Sequence, residues 1–168
     1  MTREQFNEEI LPLREKLYRY ALSLTLDTGL AEDVLQDVFI KLWTKRDQLD
    51  AIDHREAWCI RVVRNQSLDR IRQRKRQPLE LEKVQYAISA FATADSLEHE
   101  DLLGQIRLVL EKLPEQQREI FRLRELMGYS NAEIEEILHL NHSQVKVSLF
   151  RARKIIRKQM DKIINYGT

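Results

Sequence analysis

Glycine and proline are scarce in this chain, at four and three among 168 residues, against roughly 7% and 5% in average composition. So few glycines argue against a glycine-rich phosphate-cradling loop, and so few of both argue against a turn-rich β-sandwich. The single cysteine, Cys59, excludes an intramolecular disulfide and points to a reducing compartment. No apolar run approaches the roughly 20 residues of a membrane-spanning helix. The opening segment MTREQFNEEI is too polar and acidic for a secretory leader, so the expected location is cytoplasmic.

What the chain has instead is charge and helix formers. Charged residues make up 33% and hydrophobic residues 43%, with abundant Leu, Ile, Glu, Arg, Lys and Gln. That mix predicts an all-α fold. The formal net charge of +1 conceals strong local imbalance. Residues 1–50 carry −3, 51–76 carry +5, 77–104 carry −5 and 105–168 carry +4, with +6 concentrated from Lys146 onward. Basic runs are often solvated helix faces. Two arginine-rich blocks separated by an acidic stretch favour two surfaces for one polyanion.

Helix signals divide the chain into two small domains joined by a linker. Thr2 and Gln5 have capping-box spacing, and Pro12 separates a first short helix from a second over about 13–26, with Leu13, Leu17, Tyr20, Ala21 and Leu24 inward. After a turn at Asp27, Thr28 and Gly29, a third helix over about 31–45 buries Val34, Leu35, Val38, Phe39 and Leu42. A fourth, over about 56–74, has Trp58, Cys59, Val62, Val63, Leu68 and Ile71 on its apolar side. Its tail is basic, from Arg70 to Arg76. These helices form a first domain over 1–76. Residues 77–101 lack a helical stripe and form an acidic linker. A second domain over 102–168 begins with helices over about 102–112 and 115–126, the latter with Ile120, Phe121, Leu123 and Leu126 inward and closed by Gly128.

The second domain contains a helix-turn-helix. Ser130 and Glu133 start a short helix over 131–138, and Asn141 and Gln144 start another that reaches about Met160. Ile134, Leu138, Leu140, Val145 and Leu149 pack the inside, leaving His142, Ser143, Lys146, Phe150, Arg151, Lys154 and Lys158 outside. A helix so placed sits in the DNA major groove, its first residues at base edges and its cations on phosphates. Glu135 stands where a small residue usually permits close helix approach. His139 occupies the turn, where a left-handed conformation favours glycine but tolerates histidine.

In this order the segments resemble the bacterial RNA polymerase sigma factors of the extracytoplasmic-function (ECF) group. AEDVLQDVFIKLW (31–43) is similar to the family's core-polymerase-binding segment, and AWCIRVVRNQSLDRIRQRKR (57–76) to the segment that melts and reads the downstream promoter element. LPEQQREIFRLRELMG (113–128) and SNAEIEEILHLNHSQVKVSLFRAR (130–153) resemble the domain that reads the upstream element. The resemblance implies that Asp33, Gln36 and Asp37 dock on the polymerase. It implies that Trp58, Arg61, Asn65, Asp69 and Arg72, with Arg74 and Arg76 of the basic tail, contact the unwound strand. His142, Ser143, Lys146, Phe150, Arg151 and Lys154 would contact the upstream duplex. Val147 and Ser148 depart from the family pattern, as do Glu135 and His139, so an altered upstream preference is expected. The implied partners are core RNA polymerase through its β and β′ subunits, promoter DNA and an anti-sigma factor.

Two other classes compete. A stand-alone helix-turn-helix regulator accounts for 113–160 but leaves 31–43 and the Asn65–Asp69–Arg72 face without a role. A helical enzyme or metalloprotein lacks support: His139 and His142 straddle a turn with no further ligand nearby, and no nucleophile-and-base pattern exists. No catalytic residue, cofactor, metal or small-molecule substrate is therefore expected.

Overall fold

The computed structural model describes residues 1–75 and 108–166, all helices and connecting turns with no strand among them. The chain divides into two compact units, Met1–Ala94 and Asp95–Thr168. The acidic segment 77–101, the start of the helix expected over 102–112, and Arg76 lie outside the described residues.

In the first unit, α1 (Arg3–Glu9) opens with the expected capping box: Gln5 N–H donates to Thr2 Oγ1 at 3.2 Å and Thr2 N–H to Gln5 Oε1 at 2.8 Å. Pro12 lies in a 3-10 turn, Leu11–Leu13, that leads into α2 (Arg14–Thr25). Then follow α3 (Thr28–Thr44), a second 3-10 segment, Arg46–Ala51, and α4 (Arg55–Arg74). Helices α2, α3 and α4 pack mutually around Leu17, Tyr20, Leu22, Val34, Val38, Leu42, Ile60 and Val63.

The expected turn at 27–29 is much tighter than the sequence implied. Leu26 takes φ 54°, and extended Asp27 caps α3 through a 2.8 Å bond from the Leu30 N–H, so Thr28 and Gly29 already belong to the helix. Leu22 is buried, whereas Leu24 is only half-buried.

Helix α4 is rotated relative to the expected apolar stripe. Its buried residues are Ala57, Cys59, Ile60, Val63 and Ser67, while Trp58, Val62, Leu68 and Ile71 are half-exposed. Burial raises the Cys59 thiol pKa to about 12, with the Glu56 carboxylate adding to the effect.

In the second unit, residues 108–111 are helical and Val109 and Leu113 are buried. Helix α5 (Glu115–Phe121) runs into one π turn, Arg122–Leu126, closed by Met127 N–H donating to Arg122 O at 3.1 Å. Met127, seven residues from Ile120, returns to the inner face. Leu126, inside the π turn, is exposed. Gly128 then takes φ 76°. Helices α6 (Asn131–Leu138) and α7 (His142–Tyr166) follow, α7 continuing beyond the expected end. Both α5 and α6 pack on α7. Ile134, Ile137, Val145, Leu149 and Ala152 are buried there, while Leu138 and Leu140 are half-buried.

Candidate nucleic-acid interface

The rotation of α4 determines which of its side chains meet solvent. With about 100° per residue, Arg61, Asn65, Asp69 and Arg72 all project within about 60° of Trp58, opposite the buried Ile60 and Ser67. Asn65, Asp69 and Arg72 are exposed, and Trp58 and Arg61 half-exposed. Asp69 and Arg72 form an exposed ion pair at 3.3 Å. This face joins an indole, an amide, a carboxylate and guanidinium groups, which can stack on unpaired bases and hydrogen-bond to their edges.

Arg74 does not belong to that face. It lies about 160° from Trp58, and its Nη1 donates to Asp27 Oδ2 at 2.7 Å, closing the C-terminus of α4 onto the N-terminus of α3. Arg70 is likewise turned inward and donates to Asp37 Oδ2, which also accepts from Gln66 Nε2 at 3.1 Å. That bond to Asp37 is the main reason the Arg70 guanidinium is held more firmly protonated than usual. Two arginines of the basic tail therefore bind the bundle together.

Asp33, Gln36 and Asp37 share a face of α3, as the sequence implied. Asp33 and Gln36 are exposed, whereas Asp37 is half-buried by its bonds to α4. Ile40 continues the same face, 65% exposed, although in sequence it adjoins the apolar stripe of α3 and is not distinguishable from it by residue type. Its signal was its position four residues beyond Gln36. Trp43 borders the patch, edge-on to Phe6 at 5.1 Å and covered by the Arg46 guanidinium at 4.5 Å. Beside it, a groove of about 890 Å³ opens between Leu11, Tyr18 and the α3 residues Gln36 and Phe39.

The helix-turn-helix has the expected form. Ser130 and Glu133 cap α6 reciprocally at 3.2 and 2.7 Å. His139 ends it in the left-handed conformation at φ 53°, and Leu140 N–H reaches back to Glu135 O at 3.1 Å. Asn141 and Gln144 cap the start of α7 at 2.8 and 2.9 Å. Ser143, Lys146, Phe150, Arg151 and Lys154 are all exposed on α7, Phe150 to 68%. Val147 lies among them, 42% exposed. His142 is exposed at the first residue of α7, toward α6, and its Nδ1 lies 2.8 Å from Glu135 Oε1. Among the described residues, no cluster of three or more His, Cys, Asp or Glu could hold a metal, and no helix is long and apolar enough to cross a membrane.

A three-helix core exposing base-stacking chemistry, together with a separate helix-turn-helix unit, defines a two-part DNA-binding protein. Comparison with known proteins narrows the class. The family model "Sigma-70 region 2" matches residues 10–77 and "Sigma-70, region 4" matches 103–156. The chain is 25% identical over 151 residues to the ECF RNA polymerase sigma factor SigM of Bacillus subtilis, covering 89% of this chain and 91% of that protein. It is 27% identical over 157 residues to SigW of the same organism, covering 88% and 84%. Its fold is similar to that of the sigma factor RpoE in a co-crystal with the anti-sigma factor NepR from Bartonella quintana, with a TM-score of 0.69 and 23% identity over 94% of this chain and 98% of that one. The chain belongs to the sigma-70 family of RNA polymerase sigma factors, in its ECF group.

Proposed function

We propose that this protein directs core RNA polymerase to a set of promoters, with residues 1–76 docking and opening DNA, 77–101 linking, and 102–168 holding the upstream duplex. The presence of both sigma-70 regions, in order, in one chain carries this proposal. A stand-alone regulator would leave 10–77 without a role.

Asp33, Gln36 and Asp37, continued by Ile40, form the docking patch for the polymerase β′ subunit. Trp58, Arg61, Asn65, Asp69 and Arg72 capture bases of the separating strand, so their contribution is to strand opening rather than to duplex affinity. Arg74 is assigned to holding α4 on α3, given its 2.7 Å contact with Asp27. Arg76 extends the basic tail. On α7, Lys146, Arg151 and Lys154 fix the helix on phosphates, while His142, Ser143 and Phe150 meet base edges.

The protein makes and breaks no covalent bond in this mechanism and works in the cytoplasm, where the polymerase and promoters are. RpoE, of similar fold, is held by an anti-sigma factor in its co-crystal, and this chain is proposed to have a partner of the same kind. The test is reconstitution with core polymerase on promoter fragments from the source bacterium. Transcripts that depend on the protein and arise from a subset of templates are expected. No complex with core, together with tight duplex binding, would make it a stand-alone regulator.

A further inference from the structure

The hydrogen bond between Glu135 and His142 across the helix-turn-helix turn bears on which base the upstream site accepts. Glu135, on α6, is half-buried, and its Oε1 lies 2.8 Å from Nδ1 of His142, the first residue of α7. A carboxylate only accepts hydrogen bonds, so Nδ1 must carry the proton. In the neutral ring, Nε2 is then left as a bare acceptor. His142 is well exposed, with a side-chain relative accessibility of 68% against 26% for Glu135. The first residues of a recognition helix are those that meet base edges. In the major groove, hydrogen-bond donors are the N4 amino group of cytosine and the N6 amino group of adenine, whereas guanine offers only acceptors, O6 and N7.

We propose that Glu135 is a positioning residue that fixes the His142 tautomer, and that His142 thereby selects a base bearing an exocyclic amino group, cytosine or adenine, over guanine or thymine at one position of the upstream element. This inference rests on the assignment of α7 as the DNA-reading helix. The left-handed His139 contributes by turning the chain so sharply that α6 and the first turn of α7 can share this bond.

Two measurements on the full-length protein test it. The first is 15N NMR of the imidazoles at pH 8. The wild type should show His142 protonated at Nδ1, and Glu135→Ala should shift it toward the Nε2-protonated form. An Nε2-protonated ring in the wild type overturns the proposal.

The second is selection, by polymerase holoenzyme containing the protein, from duplexes randomised in the upstream element. The wild type should favour cytosine or adenine at one position by about fivefold, below the range for a bidentate contact. His142→Ala and Glu135→Ala should each flatten that position alone, and the double variant should go no further. Three outcomes overturn it: a preference for guanine there, no effect of His142→Ala at any position, or flattening by His142→Ala but not by Glu135→Ala. Lys146→Ala separates this failure from that of the α7 assignment. If α7 reads the duplex, that variant lowers affinity uniformly across sequences; if Lys146→Ala has no effect, the assignment itself fails and this inference with it.

Discussion

Asp27 is where the fold of the first unit is most open to a quantitative test. One carboxylate oxygen accepts from the Leu30 N–H at 2.8 Å and caps α3, and the other accepts from Arg74 at 2.7 Å. Removing a capping side chain costs about 1 kcal/mol. The ion pair joins a carboxylate 11% exposed to a guanidinium 31% exposed. A hydrogen bond between charged groups is worth about 1.5–3 kcal/mol, and because Arg74 can turn to water when released, a loss of about 1 kcal/mol is the appropriate figure. Asp27→Ala should therefore cost about 2 kcal/mol, or about 8–16 °C in the unfolding midpoint of a unit this size. Asp27→Asn keeps a capping oxygen and loses the charge, and Arg74→Met removes the pair from the other side. Each should cost about half as much. Both tryptophans, Trp43 and Trp58, lie in the first unit, so their fluorescence during thermal unfolding of the full chain follows that unit alone. If Asp27→Ala were no worse than Arg74→Met, the cap would contribute nothing and the reasoning would fail.

Other predictions follow from the same structure. Cys59, with its pKa raised from 9.0 to about 12, should resist alkylation at pH 8 unless the protein unfolds, and labelling of the folded protein as fast as the unfolded chain would contradict its burial. Because the folded state keeps a proton that the unfolded chain releases, the stability due to Cys59 is intact below about pH 9 and falls as the pH rises toward 12. Cys59→Ala, compared with wild type in denaturant melts across that range, should lose less stability over it. His139→Gly should relieve the left-handed strain at φ 53° and raise the second unit's stability by about 0.5–1 kcal/mol, read by denaturant titration. Trp58→Ala should reduce promoter opening, measured by permanganate reactivity of unpaired thymines, while leaving closed-complex affinity within about twofold.

How much of this was legible in the sequence depended on how local each signal was. The three capping boxes, Thr2–Gln5, Ser130–Glu133 and Asn141–Gln144, and the helix-turn-helix they frame could be read because a cap involves residues three apart. The phase of α4 could not. Its inward stripe contains Ala57 and Ser67, which are small or polar, while Trp58, Val62, Leu68 and Ile71 are apolar residues at the margin. The inward turn of Arg70 and Arg74 was also hidden, because their partners Asp37 and Asp27 are 33 and 47 positions away. Asp27 read as a turn residue because its capping bond depends on the left-handed Leu26 before it, a conformation that leucine rarely signals.

The inward arginines also alter how this protein should respond to salt. A cation that binds DNA displaces condensed counterions in proportion to the positive charge it brings, and an arginine already neutralised by a carboxylate brings little. On α4, Arg70, Arg72 and Arg74 are each paired with an aspartate. On α7, Lys146, Arg151, Lys154 and Lys158 have no carboxylate partner among the described residues. The ionic-strength dependence of promoter binding should therefore come mainly from the second unit, although both carry basic runs of similar density. The α4 arginines of the first unit should add little to the salt dependence that strand separation itself carries.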